Sequence, residues 1–264
     1  MELTIQGRPA FVYTGGKPFD ASLPSVVFVH GAENDHSVWA LQSRYFAHHG
    51  YGVLAADLPG HGRSAGPALA SIEAIGAWIG ELLDAAGVTR TAIIGHSMGS
   101  LIAVEAAAHH PGRVERLALL GATFPMRVSD ELLAATQSDE PRAHAMINAW
   151  CHSANAHYPG NPGPGAWVAG GNLRLLRRQS PGTLFIDFNA CNRYEAGTAN
   201  ATKITCPTLF IVAARDVMTP PRGAREFASL FAQPHIVQIA DSGHNLMGEK
   251  PDEVLDALWA FCSK

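Results

Sequence analysis

Five stretches of the chain are apolar without a break: Val26-Val27-Phe28-Val29, Val53-Leu54-Ala55-Ala56, Ala92-Ile93-Ile94, Leu117-Ala118-Leu119-Leu120 and Leu209-Phe210-Ile211-Val212. A strand with one wet face alternates apolar and polar residues, so unbroken runs describe strands covered on both sides. Segments of helical period lie between them. Val38, Leu41, Tyr45 and Phe46 recur at helical spacing up to Gly50. Ile75, Ile79, Leu82 and Leu83 do the same between Ser71, a start signal, and Gly87, a stop signal. Residues 101–108, 222–231 and 251–262 supply three more helices. Strand, helix, strand in repetition predicts a mostly parallel sheet with helices on both faces. Residues 3–5 and 10–13 add a hairpin at one edge, and residues 235–239 bring the strand count to eight. The expected fold class is α/β.

The rhythm stops at Thr123 and resumes at Cys206-Pro207. In between, helical patterns occupy residues 130–137, 143–151, 173–179 and 181–194, and the Pro/Gly-rich residues 159–165 read as a loop between two of them. The expected organisation is a core domain of residues 1–122 and 204–264 with a helical cap, 123–203, inserted into it.

With 264 residues and 47% hydrophobic content, the chain can bury a substantial core unaided. A net charge of −4 and the lack of any clustered Lys/Arg run argue against nucleic acid or an anionic membrane as partner, and favour a small-molecule substrate. Oligomeric state stays open between monomer and homodimer. The N-terminus has strand-like alternation and no basic, apolar leader, no apolar run reaches the length of a membrane span, and Cys151, Cys191, Cys206 and Cys262 are scattered. Those features predict a cytoplasmic protein with reduced thiols.

Chemistry concentrates at Gly95-His96-Ser97-Met98-Gly99, where an apolar strand turns sharply into a helix. Such a turn displays its serine, the flanking glycines allow strand and helix backbones to approach, and the new helix aims its N-terminal dipole at the same point. A serine hydroxyl needs a base and an acid that orients the base. Asp216 follows the strand containing Leu209-Phe210-Ile211-Val212, and His244 follows the last strand. In a parallel sheet the C-terminal strand ends share one rim, so Ser97, Asp216 and His244 are the expected catalytic residues. Asp241 lies too near His244 along one loop for easy in-line support.

His30-Gly31, the loop Asp57-Leu58-Pro59-Gly60-His61-Gly62-Arg63-Ser64, the serine pentapeptide, Arg215-Asp216 and Gly243-His244 occur in the order seen in α/β-hydrolase-fold enzymes, and the chain resembles that family over nearly its whole length. The resemblance implies an oxyanion hole made of the backbone N–H groups of Ala32 and Met98, with His30 and His61 bracing their loops. It also implies that no metal or organic cofactor is required. Glu33 lies on the oxyanion loop as either a solvated residue or a substrate contact. His96 is a packing residue or a pocket wall, and Trp150, Trp167 and Phe188 are core or substrate-binding walls. The implied activity is serine hydrolysis of a small to medium, largely apolar carboxylic ester through an acyl-enzyme. Two alternatives stand beside it. A carbon–carbon hydrolase of aromatic meta-cleavage products would use a cap arginine from Arg174, Arg177, Arg178 or Arg193, and a non-catalytic ligand receptor of the same fold would retain the triad without turnover.

Overall fold

The computed structural model describes residues 1–157 and 167–263, so the 159–165 loop lies outside the described residues. Eight strands form one sheet: β1 (Glu2–Ile5), β2 (Arg8–Tyr13), β3 (Ser25–Val29), β4 (Gly52–Ala56), β5 (Thr91–His96), β6 (Val114–Leu120), β7 (Thr208–Ala213) and β8 (Pro234–Ile239). Their order across the sheet is β1-β2-β4-β3-β5-β6-β7-β8. The β1–β2 hairpin and its junction with β4 are antiparallel, whereas every pairing from β4 to β8 is parallel.

Both faces are coated, as the unbroken apolar runs require. Val27, Val29, Ile93, Leu117 and Phe210 point into one core, and their neighbours Val26, Phe28, Ile94, Ala118 and Leu209 point into another. The first core is filled by α2 (Ile72–Ala85), α3 (Met98–His109) and α9 (Pro221–Ala228), the second by α1 (Ala40–His48) and α11 (Pro251–Cys262). Ser71 caps α2 by accepting a hydrogen bond from the Ala74 N–H. A one-turn helix, α10 (Leu246–Glu249), follows His244 and has no counterpart in the sequence reading, being too short for periodicity to register.

Among the described residues five α-helices separate β6 from β7: α4 (Asp130–Ser138), α5 (Glu140–Trp150), α6 (Val168–Leu176), α7 (Thr183–Arg193) and α8 (Gly197–Ala201). Leu132, Ala143, Ile147, Leu184 and Phe188 give α4, α5 and α7 a small core of their own, against which Ala32 and Met218 pack. The short α8 instead seats on α3, where the buried Glu105 accepts hydrogen bonds from Tyr194 Oη (2.7 Å) and Asn200 Nδ2 (2.6 Å). All four cysteines are free thiols. Among the described residues no helix is long and apolar enough to cross a membrane.

Candidate active site

Ser97 sits between β5 and α3 with φ 54° and ψ −121°, a left-handed conformation that costs a non-glycine residue on the order of 1–3 kcal/mol. The surrounding backbone holds it there. Ser97 N–H donates to the Leu120 carbonyl of β6 (2.9 Å), and the Ser97 carbonyl accepts from Ser100 N–H and Ser100 Oγ (2.8 and 2.6 Å). A Cβ on Gly95 would stand 2.1 Å from the Gly99 carbonyl oxygen, and one on Gly99 would stand 2.4 Å from that of Val29. Only glycine fits either place.

Asp216 and His244 meet on the same rim. His244 Nδ1–H donates to Asp216 Oδ2 (2.7 Å), and both side chains are almost wholly buried. Asp216 is held in turn: Met218 N–H and Thr219 N–H both donate to its Oδ1 (2.8 Å each), and Thr219 Oγ1 donates to its Oδ2 (2.6 Å). Burial alone would raise the pKa of this carboxyl, but His244 and the Thr219 hydrogen bonds outweigh it and lower the pKa. Thr219 was not singled out in the sequence, although an aspartate followed by a threonine three residues on is a turn pattern that would have found it. Asp241 lies away from the imidazole, in an ion pair with Arg215 at the surface. Gly121 packs under the ring, where an added Cβ would come within 3.0 Å of His244 Cε1. No hydrogen bond joins Ser97 Oγ to His244 in this state; both residues line one cavity, and among the described residues His244 Nε2 has no protein partner.

The loop after β3 is fixed one peptide at a time. Gly31 carbonyl accepts from His30 Nδ1–H (2.8 Å) and Asn34 N–H (3.2 Å), so the Ala32 N–H at the other end of that peptide points the opposite way. Leu58 N–H donates to His30 Nε2 (3.1 Å), which leaves this imidazole neutral; burial, and then the charge of His61, lower its pKa to about 4. Ala32 and Met98 line the cavity beside Ser97. Among the described residues neither of their N–H groups meets a protein acceptor.

The cavity has two lobes that share Ala32, Ser97, Phe188, Met218 and His244. The larger, about 180 Å³, is walled mainly by Met98, Met126, Leu132, Trp150, Val217 and Met218. The smaller, about 40 Å³, is edged by His96, Asn34, Asn172 and Asn245. Of the residues singled out in the sequence, His96, Trp150 and Phe188 border these lobes. His96 Nε2–H donates to the His244 carbonyl (2.9 Å), and burial followed by the His244 charge lowers its pKa to about 3, so it is neutral.

Glu33 and Trp167 do not border the lobes. Glu33 is buried and bonded to His144 Nε2 (2.8 Å), neither solvated nor facing the cavity. Trp167 is 70% exposed and edges an outer groove with Arg174. Met126, Leu132, Val217 and Met218 escaped the sequence reading because they stand on loops and a helix whose facing no local pattern reveals. Arg178 is engaged by Asp35, and the arginine that does border the larger lobe is Arg127, at its exposed rim.

Two groups of side chains among the described residues lie close enough to share a cation, Glu33 with Glu140 and His144, and Asp35 with His36 and Asp57, their ligand atoms within 4.8 Å of one another. Hydrogen bonds already join members of each group, and Ser97 belongs to neither.

Residues 24–144 match the family model of the alpha/beta hydrolase fold. The chain is 30% identical over 233 residues to a pimeloyl-[acyl-carrier protein] methyl ester esterase from Chromobacterium violaceum, covering 84% of this chain and 87% of the relative. It is 29% identical over 235 residues to a putative carbamate hydrolase, RutD, from Klebsiella pneumoniae, covering 84% of each. The solved enol-lactonase from Burkholderia xenovorans LB400 superposes over the full length of both chains with a TM-score of 0.88 at 22% identity. From its motifs, its sheet order and these likenesses, the chain belongs to the α/β-hydrolase family and is a hydrolase.

Proposed function

We propose that this hydrolase cleaves a small to medium, largely apolar carboxylic ester, with Ser97 as nucleophile, His244 as general base and Asp216 as the acid that orients it. The observation that carries the reading is the 2.7 Å His244–Asp216 hydrogen bond, set beside a serine in a strained turn and opening on one cavity with it. Asp216 accepts from Nδ1–H, so the lone pair of Nε2 is left to take the Ser97 proton. The attacking Oγ forms a tetrahedral centre whose oxygen is received by the N–H groups of Ala32 and Met98, the latter at the N-terminus of the twelve-residue α3. His244 then returns its proton to the departing alcohol and activates a water that releases the acid. Helices α4 to α7 act as a cap over this site. The mostly apolar walls of the larger lobe suit an uncharged group, and the small lobe with its three asparagines suits a short one.

The relatives' substrates, a pimeloyl methyl ester and a carbamate by their names, are consistent with acyl transfer to a serine. Hydrolysis of p-nitrophenyl esters of graded chain length tests the reading. Ser97→Ala is expected to lower turnover more than a thousandfold while leaving the fold intact. Wild-type activity in that variant would remove the proposal.

A further inference from the structure

The peptide that follows the oxyanion loop's Ala32 is held from the cap. Glu33 N–H donates to Asp187 Oδ2 at 2.7 Å, and Asp187 belongs to α7, more than 150 residues away in sequence. Glu33 adopts φ 53°, a left-handed turn that a glutamate keeps only when its surroundings hold it. The same Asp187 oxygen accepts from His61 Nε2–H (2.8 Å), while His61 Nδ1–H donates to the Pro59 carbonyl (3.0 Å). Both ring nitrogens therefore face acceptors, which requires a doubly protonated imidazolium beside an ionised carboxylate. Burial opposes that charge, and the Asp187 carboxylate more than offsets it, raising the His61 pKa. Asp187 and His61 are both buried, so this is a sealed ion pair between the cap and the 57–64 loop, with the Glu33 peptide clamped on it.

The His244 loop is bound to the cap as well. Asn245 N–H donates to the Cys151 carbonyl (2.8 Å), and Glu249 accepts from Ser153 N–H (3.0 Å) and Gly243 N–H (2.9 Å). At Gly243 the approach is so close that a Cβ would stand 2.7 Å from the Ser153 nitrogen.

We propose that Asp187 is a positioning residue of the oxyanion site, and that the cap is a fixed half of the catalytic machinery rather than a lid that opens: seating α7 and aiming the Ala32 N–H are one event. This rests on the reading of Ser97 as nucleophile. Fixing the Glu33 N–H sets the plane of the Ala32–Glu33 peptide, while His30 and Asn34 set the plane before it; the Ala32 N–H is thereby locked between two clamped ends. Removing the Asp187 clamp frees one end. Losing an oxyanion donor outright costs about a hundred- to a thousandfold in turnover, so mis-aiming one is expected to cost roughly ten- to a hundredfold.

Two variants separate a hydrogen-bond role from a charge role. Asp187→Asn, with its oxygen in the place of Oδ2, can still accept from both Glu33 N–H and His61 Nε2–H but carries no charge. Asp187→Leu can accept from neither. With a p-nitrophenyl ester, and with active sites counted by fluorophosphonate at saturation, kcat per labelled site is expected to fall roughly ten- to a hundredfold in Asp187→Leu with KM within twofold. Asp187→Asn should stay within about threefold of the wild type. Equal impairment of the two variants, full activity of Asp187→Leu, or a loss confined to KM overturns the proposal. Should Asp187→Leu not fold, amide exchange on the wild-type protein decides: a Glu33 amide protected like those of β3 supports the clamp, and one exchanging like a free loop amide refutes it. Ser97→Ala assayed in parallel keeps the two readings apart, because activity there would indict the nucleophile rather than Asp187.

Discussion

Glu33→Gln should make the protein more stable at alkaline pH and nearly neutral in effect at acid pH. Burial raises the Glu33 pKa from its ordinary 4.5 to about 6; the hydrogen bond and charge of His144 pull it down, and Glu140 and Asp187 push it up further. A carboxyl whose pKa is raised by folding binds its proton more tightly in the folded chain. Its favourable contribution is therefore complete below pH 4.5 and is lost as pH rises through about 6. At about 1.4 kcal/mol per pH unit, the interval from 4.5 to about 6 corresponds to about 2 kcal/mol of strain carried by the ionised carboxylate at pH 8. Glutamine keeps the acceptor for His144 and carries no charge to bury. The variant and wild-type proteins should melt together near pH 4.5 and diverge by roughly 4–8 °C in favour of the variant at pH 8. Thermal melts across that range measure it directly. A difference that stays flat with pH, or that favours the wild type at pH 8, would mean that burial does not penalise the ionised Glu33, and would refute the argument.

Asp216→Asn should lower kcat by roughly four orders of magnitude, because an amide no longer fixes the Nδ1–H tautomer of His244; steady-state assays check this. The lowered Asp216 pKa means that its contribution to stability is present above pH 3.8 and disappears as pH falls through its folded value, so acid-unfolding curves of Asp216→Asn should lack that component. Gly243→Ala forces a Cβ against the Ser153 backbone and should cost about 1–3 kcal/mol in denaturant titrations. Trp167→Ala, at a residue 70% exposed and outside both lobes, should leave the kinetics of short esters unchanged.

The elements that bury two faces were legible because unbroken apolar runs such as Val26-Val27-Phe28-Val29 have only one comfortable setting, the interior of a parallel sheet. The meeting of Asp216 with His244 followed from the same sheet, since strand ends share a rim whatever lies between them in sequence. What stayed hidden depends on the facing of helices across long sequence separations. Asp187 reads as one acid on a mixed helix, and only the docking of α7 turns it toward Glu33 and His61. Glu33 reads as part of a polar loop, and its burial comes from α5 closing over it with His144. Trp167 has the side chain of a pocket wall, yet it stands just before α6 in extended backbone and is turned outward.

The central claim, that Ser97 is the nucleophile served by His244 and Asp216, is tested most directly by fluorophosphonate labelling followed by peptide mass mapping. One adduct per chain, located on Ser97 and rising in step with loss of ester turnover, is the predicted result. An adduct on another residue, or full turnover in the labelled protein, would contradict it.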